Sequence, residues 1–294
     1  MLINQNFQLH LTTCFSNFFN EPVEVTHGES APGGDISQTY ILYTTKGKFF
    51  IKVNAALFGL DFFEKEARGL ATLANAGTLK VPRPLFDGKF HQQIYVVMEY
   101  LEKGNPAEDF WLDFGRSIAA MHKHTREQYG LDYDNYIGKL HQLNENRGTW
   151  HEFYSSQRIM PLVYKAEKIK MLTAETVHHA EQMCAKLSAL IPEEQPALLH
   201  GDLWKGNFMV YQTGKAAIFD PSVFYGHREF DLAIARLFGG YDDSFYHAYD
   251  EVYPLTPGHM ERVDIFQLYH LLVHLLLFGG HYKEDVKNIL KKYS

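Results

Sequence analysis

Cysteine and excess positive charge are both scarce in this chain. Among 294 residues only Cys14 and Cys184 are cysteines, and they lie far apart in no metal-ligand pattern. We therefore exclude a disulfide-rich secreted domain and expect reduced thiols in a cytoplasmic protein. The net charge of −7 at pH 7 comes without the basic stripe that nucleic-acid binding requires, so no nucleic-acid partner is expected.

The chain also lacks a cationic leader and a long uninterrupted apolar run. Its first residues, MLINQNFQLHLTTCF, carry polar side chains throughout, unlike a secretory signal. Its longest apolar stretch, IFQLYHLLVHLLLFGG, is interrupted by Gln267, His270 and His274 and is short for a bilayer. It is typical of a buried helix, so we predict no membrane partner. The two histidines lack the Glu of H-E-x-x-H, which favours a core or cleft-lining role over a metal site.

The pattern of apolar residues changes near residue 100. Before it, an opening helix, a two-stranded hairpin around Lys46 and Gly47, a helix in LDFFEKEARGLATLANAG and a buried strand in QQIYVVMEYL are indicated. Residues 1–99 thus predict a small, mostly antiparallel β-rich lobe. Residues 100–294 predict a larger, mainly helical lobe. The predicted fold is α+β, with two lobes and a cleft between them.

The stretch LLHGDLWKGNF places polar residues where an apolar, strand-like context does not call for them. His200, Asp202 and Asn207 have the spacing H-x-D-x-x-x-x-N of a kinase catalytic loop, and Asp220 ends the strand AAIFD thirteen residues later. This pattern predicts a two-lobed, protein-kinase-like phosphoryl transferase that uses ATP and Mg²⁺. Asp202 is the candidate base, and Asn207 and Asp220 are hard oxygen ligands for the metal. For the HGD triplet alone, a strand-ending turn explains the residues equally well.

A lysine and a glutamate complete the predicted nucleotide site. Lys52 lies on the second strand of the early hairpin, in FFIKV, and Glu66 lies on the following helix. A strand Lys held by a helix Glu positions nucleotide phosphates in kinases. Alone, Lys52 is explained more simply as part of a solvated face, and Glu64 competes with Glu66 for the pairing.

Backbone contacts to the nucleotide are predicted at two further places. Gly33 and Gly34 precede the hairpin and have no Cβ to obstruct phosphate oxygens, although an ordinary turn explains them equally well. The strand end at the predicted lobe junction offers amides to an adenine edge, with an ordinary strand end as the alternative. Its residues are Met98, Glu99, Tyr100 and Leu101.

Two features of protein kinases are missing. Gly201 stands where a protein kinase has an Arg that receives an activation-loop phosphate, and only ten residues separate Asp220 from Asp231. We therefore predict constitutive chemistry on a small acceptor.

Several segments together resemble the fructosamine kinase (ketosamine kinase) family, of the aminoglycoside-phosphotransferase-like branch of the kinase fold. They are LLHGDLWKGNF, FDPSVFYGHREFDLAIARLFGG, YHLLVHLLLFGG, FFIKVN, FEKEARGL and VPRPL, and they cover nearly the whole chain. The resemblance implies phosphorylation of a sugar hydroxyl on small or protein-borne ketosamines, in deglycation. It assigns Asp202, Asn207, Asp220, Lys52 and Glu66 the roles given above.

The resemblance also implies an acceptor site with details of its own. Trp204 is expected to form part of the wall for the sugar and amine. His227, Glu229 and Asp231 are expected either to order the loop behind the metal or to touch the acceptor. Lys205 departs from the small residue usual after the Trp, and Asp35 stands where some relatives have Cys, so no redox switch is expected there.

Two alternatives to a ketosamine kinase stay open from the sequence. An aminoglycoside- or choline-type phosphotransferase would use acidic residues of the C-terminal helices to hold a cationic acceptor; the candidates are Asp242, Asp243, Asp250 and Glu251. A kinase-like, non-catalytic binding module would have lost one essential residue, yet all five are present.

Overall fold

The computed structural model describes residues 4–31, 37–59 and 61–294. Its β-rich part is an antiparallel sheet of five strands in the order β1-β2-β3-β5-β4. The strands are β1 (Val25–Ser30), β2 (Gln38–Thr44), β3 (Gly47–Ala55), β4 (Pro84–Phe90) and β5 (Gln93–Glu99). The predicted hairpin, β2–β3, and the predicted buried strand, β5, are confirmed. β1 was not predicted, because its sequence VTHGES buries only two positions.

Two helices cover opposite faces of this sheet. α1 (Gln5–Phe19) packs against the face that includes Ile51 and Val53 of β3. α2 (Phe62–Ala76) packs against the other face, with alternate residues of β5. Because successive side chains of a strand point to opposite faces, Lys52 lies on the α2 side of the sheet.

The rest of the chain is mainly helical. Among the described residues, the α-helices after the sheet are α3 (Phe110–His122), α4 (Trp150–Phe153), α5 (Met160–Lys168), α6 (Ala174–Leu190), α7 (Glu229–Leu237), α8 (Asp243–Val252), α9 (Val263–Phe278) and α10 (Lys283–Tyr293). A π-helix (Tyr154–Ile159) joins α4 to α5, and short 3₁₀ turns occur at Ala56–Phe58, His259–Arg262 and Gly280–Tyr282. The apolar stretch that ends at Phe278 forms the buried helix α9, as predicted.

Three short antiparallel strand pairs lie among these helices. The strands are β6 (Asn135–Ile137) with β7 (Leu140–Gln142), β8 (Ala197–Leu199) with β11 (Phe224–Gly226), and β9 (Phe208–Val210) with β10 (Ala216–Ile218). Isolated bridges join Lys80 to Ala217 and Lys103 to Tyr211. The first bridge joins β10 to the chain that follows α2, and the second joins the residue after β9 to the chain that follows β5.

One apolar cluster joins the sheet to the helices. It combines Val96 and Met98 of β5 with Phe114 of α3 and Ile218 of β10. A second cluster fills the helical part around α9. The sheet and the helices therefore share a core at their junction, next to the loop that carries Asp202. No helix of the described residues is both long and apolar enough to cross a membrane.

Candidate active site

Asp202 lies in the loop between β8 and β9, and Asn207 orients it. The Nδ2 of Asn207 donates to the Oδ2 of Asp202 at 2.9 Å and to its backbone carbonyl at 2.8 Å. The Asp202 side chain keeps 22% of its exposure while Asn207 is buried. The spacing D-x-x-x-x-N thus closes a loop with one carboxylate oxygen bound by an amide and the carboxylate still open to a ligand.

Buried groups hold this loop from two sides. The amides of His200 and Gly201 donate to the carboxylate of Asp231 at 2.7 and 2.9 Å, and His122 contacts the same carboxylate at 3.2 Å. Burial alone would raise the pKa of Asp231, but the interactions with His122 and His200 lower it below its usual value. On the other side, the Nε2 of His270 lies 3.0 Å from the carbonyl of Gly201. Asp231 therefore orders the loop, one of the two roles predicted for it.

Gly201 occupies a position that only glycine fits. Its φ of +81° lies in the left-handed region, and a Cβ there would lie 2.1 Å from the carbonyl oxygen of Ser222. The backbone of the catalytic loop is thus in direct contact with the segment that follows Asp220.

Asp220 lies two residues after β10, beside Lys52. Its carboxylate forms an ion pair with the Nζ of Lys52, and its backbone adopts a left-handed φ of +56°. Its side chain is 38% exposed, so the carboxylate also faces open space. The backbone carbonyl lies 3.5 Å from the Nδ2 of Asn207. The structure therefore brings Asp202, Asn207 and Asp220 into one site.

Lys52 links the sheet to α2 through Glu66. The Nζ of Lys52 lies 2.6 Å from the Oε1 of Glu66, and both side chains are almost fully buried. Burial alone would lower the pKa of Lys52, but the charges of Asp220 and Glu66 raise it, so the ammonium stays protonated. Glu64 is exposed, and the pairing is made by Glu66.

The pKa of Asp202 is raised to about 7. Burial is the largest cause, the hydrogen bond from Asn207 opposes it, and the negative charges of Asp220 and Asp231 add to it. A carboxylate that titrates near neutral pH is suited to accept a proton as a general base. This arrangement can therefore deprotonate a hydroxyl group held against Asp202.

The predicted adenine-binding stretch is divided between core and surface. Met98 is buried, and the amide of Glu99 donates to the carbonyl of Arg83 at 2.8 Å while its carboxylate binds Lys80. The amide of Leu101 makes no hydrogen bond to another described residue. The amide of Tyr100 makes none either, so the available donors of this stretch are at Tyr100 and Leu101. The other predicted backbone site, Gly33 and Gly34, lies outside the described residues.

The two residues predicted after Asp220 to touch the acceptor face the interior. His227 is fully buried, with its Nε2 3.1 Å from the carbonyl of Pro192. Glu229 is 4% exposed and binds Arg262 through both carboxylate oxygens, at 3.0 and 2.5 Å. We therefore correct the acceptor-binding hypothesis for both: their partners are buried groups of this chain. The sequence placed them in one short motif with Asp231, but burial was not readable from that motif.

Trp204 is partly buried beside the catalytic loop. Its ring lies over Gly206, where a Cβ would lie 2.3 Å from the ring, and packs edge-on to Phe238 at 5.9 Å between centroids. Lys205 is exposed. Trp204 thus lies on the catalytic loop, two residues after Asp202 in the chain, with its ring packed against Gly206 and Phe238.

Two contributors to the loop were missed by sequence reasoning. His122, at the end of α3, contacts Asp231, and His270 contacts Gly201. His270 was assigned to the core or the cleft lining, and it is indeed 1% exposed, but its contact with the loop was not foreseen. No local motif marks either histidine, because their partners lie 109 and 69 residues away in the chain.

Comparisons with known proteins point to one family. A family model described as fructosamine kinase matches residues 8–294. The chain is 35% identical over 275 residues to a probable ketoamine kinase of Synechocystis sp., with 92% of each chain covered. It is also 35% identical to a ketosamine-3-kinase of Mus musculus, covering 89% of this chain and 93% of the relative.

Solved structures agree with the sequence comparisons. A putative fructosamine-3-kinase from Thermobifida fusca superposes with a TM-score of 0.84 at 32% identity, covering 96% of this chain and 97% of that one. One from Haemophilus somnus superposes with a TM-score of 0.88 at 25% identity, covering 96% of both. An aminoglycoside phosphotransferase solved with ADP and hygromycin B has a TM-score of 0.61 at 15% identity over 96% of this chain and 98% of its own. That likeness shows the shared two-lobed kinase fold, as predicted.

Proposed function

The chain belongs to the fructosamine kinase family, and on that basis we propose that it transfers the γ-phosphoryl group of ATP to a sugar hydroxyl of a ketosamine. The observation that carries the proposal is the meeting of Asp202, Asn207, Asp220 and Lys52 in one site. The names of the relatives reported above, ketoamine kinase and ketosamine-3-kinase, indicate the class of acceptor. The product adduct is expected to be labile, so the reaction would serve deglycation.

Asp202 is the proposed base. In its deprotonated form it accepts the proton of the acceptor hydroxyl, whose oxygen forms a bond to the γ-phosphorus while the bond to the β,γ-bridging oxygen breaks and ADP leaves. The amide of Asn207 holds one carboxylate oxygen, so the other oxygen, Oδ1, faces the hydroxyl. The pKa near 7 makes a large fraction of Asp202 available as a base at neutral pH.

Lys52 and Glu66 are the proposed clamp for the nucleotide phosphates. The buried ammonium of Lys52 is held by Glu66 at 2.6 Å, which fixes a positive charge beside Asp220. The charge offsets negative charge on the phosphates, and its fixed position restricts the reactive geometry.

Asn207 and Asp220 are the proposed ligands for Mg²⁺. An amide oxygen and a carboxylate are hard oxygen donors, of the kind and small number that Mg²⁺ accepts alongside phosphate oxygens and water. The Nδ2 of Asn207 is used by Asp202, which leaves its Oδ1 for a metal, and the donor set therefore fits. When bound, Mg²⁺ would neutralise charge on the phosphoryl oxygens.

The remaining nucleotide contacts are proposed from position. The available amides of Tyr100 and Leu101 would bind the adenine edge, and Gly33 and Gly34 would cover the phosphates. We also propose residues 1–99 as the nucleotide-binding lobe and residues 100–294 as the catalytic and acceptor-binding lobe, because the sheet ends at Glu99. The two cysteines form no disulfide, which supports the cytoplasm as the compartment.

Three of the four acidic residues that an aminoglycoside or choline site would use have partners within the chain. Asp242 caps α8 through the amide of Ser244, Asp250 accepts from the amide of Leu255, and Glu251 pairs with Arg116. Each of these three carboxylates contacts a different partner, so the contacts are not shared. They favour the ketosamine, which Trp204 would face, over a polycationic acceptor.

A coupled assay of ADP release tests the proposal. The purified chain is given ATP, Mg²⁺ and one acceptor at a time: ribulose-, erythrulose- and fructose-lysine, then an aminoglycoside and choline, with phosphorylated product confirmed by mass spectrometry. We expect turnover with at least one ketosamine and none in the Asp202→Ala variant. Turnover with the aminoglycoside or choline and with no ketosamine would refute the proposed acceptor.

A further inference from the structure

Five buried polar side chains form a connected group beneath the segment that follows Asp220. They come from β6, β7, the loop after β7, the π-helix and α9, and none is more than 4% exposed. We call this group the buried polar network, and its members are Asn135, Gln142, Asn144, Arg158 and Tyr269.

The network binds the backbone of the segment through two amides. Asn135 Nδ2 donates to the carbonyl of Val223 at 2.8 Å, and Gln142 Nε2 donates to the carbonyl of Ser222 at 3.1 Å. The Oε1 of Gln142 in turn accepts from the hydroxyl of Tyr269 at 2.7 Å. Each amide therefore has one orientation that satisfies its partners, so the carbonyls are held at defined points.

Arg158 contacts the other side of the network, and its buried positive charge forms no ion pair with a described carboxylate. Its guanidinium donates to Asn144 Oδ1 at 2.7 Å and to the carbonyl of Leu143, and it lies 4.0 Å above the ring of Phe224. Its hydrogen bonds to described residues go to an amide oxygen and to backbone carbonyls, and none goes to a carboxylate. Burial lowers its pKa to about 10. A buried charge of this kind costs stability. Arg158 lies on the π-helix Tyr154–Ile159, and short π-helical segments are frequent at functional sites.

The segment held by the network touches both parts of the active site. The amide of Ser222 donates to the carbonyl of His200 at 2.9 Å, and Gly201 packs against the Ser222 carbonyl. Two residues earlier, Asp220 keeps its left-handed φ of +56°, a conformation that persists in a non-glycine residue only when its surroundings impose it. The network thus binds the backbone two residues after Asp220, and Ser222 in turn bonds to the catalytic loop two residues before Asp202.

We propose that the buried polar network is a positioning device that holds Asp220 and the catalytic loop in their working arrangement without a phosphate or effector. Protein kinases order this region with a phosphate read by an Arg before the base, and here that position is Gly201 and the following segment is short. In this chain, neutral hydrogen bonds from the buried polar network replace the ordering effect of that phosphate. This inference rests on the proposed kinase function.

The test compares Gln142→Leu with Val286→Ala. Gln142→Leu removes all three hydrogen bonds of the Gln142 amide, to Asn135, Ser222 and Tyr269, at similar side-chain volume. Val286 is fully buried in the apolar cluster that also contains Tyr269, and its side chain makes no hydrogen bond. Hydrogen exchange of the amides of residues 220–226 is measured in the nucleotide-free chain, together with kcat and the Mg²⁺ concentration for half-maximal rate.

We expect Gln142→Leu to speed exchange at residues 220–226 at least tenfold and to raise the Mg²⁺ requirement at least tenfold, with a smaller loss of kcat. Val286→Ala should lower thermal stability yet leave the exchange rate at residues 220–226 and the Mg²⁺ requirement within twofold of the wild type. If Gln142→Leu fails to fold, Tyr269→Phe removes one hydrogen bond and should give about a threefold change in both. Equal behaviour of the network variant and Val286→Ala would overturn the proposal.

The exchange measurement needs no acceptor. The proposed function and the positioning role of the network can therefore be refuted independently of each other. Wild-type protein that shows no transfer to any ketosamine while Gln142→Leu still speeds exchange would refute the proposed function alone. Normal transfer with unchanged exchange and Mg²⁺ requirement in Gln142→Leu would refute the positioning role alone.

Discussion

Asp202 has the properties that define the chemistry at the residue scale. Its carboxylate is oriented by Asn207, flanked by the negative charges of Asp220 and Asp231, and partly exposed. The raised pKa and the open oxygen together distinguish it from a structural carboxylate such as Asp231, whose pKa is lowered and which is fully buried.

The pH profile follows from the raised pKa of Asp202. The base acts when deprotonated, and its pKa is about 7, so kcat/KM for the acceptor should fall with a slope of one below about pH 7 and level off above it. At pH 6 the rate should be about a tenth of the plateau. An Asp with an ordinary pKa would give a flat profile from about pH 5.5 upward, and that outcome would contradict the assignment.

Asp202→Asn should remove turnover while sparing nucleotide binding. We expect a loss of about 10²- to 10⁴-fold in kcat with ATP affinity, measured by titration calorimetry, within about twofold of the wild type.

The same variant should change stability. The folded pKa of Asp202 (about 7) exceeds the usual 3.8, so between these values the folded state holds a proton that the unfolded state has released. Stability therefore falls as pH rises across that window. The uncharged Asn should therefore be more stable above pH 7, by about 1 to 3 kcal/mol.

At the scale of elements, the pairing of β3 with α2 brings the predicted Lys and Glu together. Side chains alternate along β3, and the one that faces α2 at the level of Glu66 is Lys52. Glu64, on the same helix, is exposed. The helix therefore offers two glutamates of the same chemistry, of which one reaches the buried lysine.

Glu66→Gln and Glu64→Gln form a matched pair. Glu66→Gln removes the charge that holds Lys52, and kcat/KM for ATP should fall about tenfold or more because one charge-assisted hydrogen bond is lost. Glu64→Gln should remain within twofold of the wild type. Equal losses for both variants, measured in the same assay, would show that Glu66 has no special role.

Close packing between α3 and α8 depends on a glycine. A Cβ added at Gly115 would lie 2.1 Å from the carbonyl of Phe245. Gly115→Ala should therefore lower the free energy of unfolding by about 2 to 4 kcal/mol, because the helices must separate. Gly148→Ala, where the added Cβ meets nothing within 4 Å, is the control and should stay within about 0.5 kcal/mol by urea denaturation.

At the scale of the whole molecule, the active site lies where the sheet and the helical part meet. Lys52 and Glu66 come from the sheet and its helix, Asp202 and Asp220 from the loops beyond residue 196, and one apolar cluster joins the two parts. A nucleotide bound there would contact both parts, so its binding should stabilise the whole fold.

MgATP should therefore raise the thermal unfolding midpoint. At a concentration a hundred times its dissociation constant it stabilises by about 2.7 kcal/mol, which raises the midpoint of a chain of this size by about 5 °C. Removing the metal with EDTA should reduce this shift and abolish transfer. The Asp220→Asn variant should lose the metal-dependent part of the shift. Full transfer in excess chelator would contradict the proposed Mg²⁺ site.

Local patterns were enough to find some elements and not others. The β2–β3 hairpin, α2, β5 and α9 follow from alternation, amphipathic spacing and apolar runs. β1 was missed because VTHGES buries only two of its six positions. The β6–β7 pair was missed because each strand has three residues and one of its two buried positions is polar, Asn135 in β6 and Gln142 in β7. Of the two roles predicted for His227 and Glu229, contact with the acceptor does not fit their burial, and a shared motif does not show which side chains are buried.

The sequence by itself determined the residues of the catalytic loop and the strand end, because Asp202, Asn207 and Asp220 are marked by residue type and spacing, and it offered Lys52 with Glu64 or Glu66 as candidates for an ion pair. Only the tertiary structure decided how these groups meet, which glutamate reaches the lysine, and how Asp231 and the buried polar network hold the loops. The physical reason is that such contacts join residues as far as 168 positions apart in the chain. Backbone carbonyls and neutral amides also take part, and they leave no pattern in the sequence.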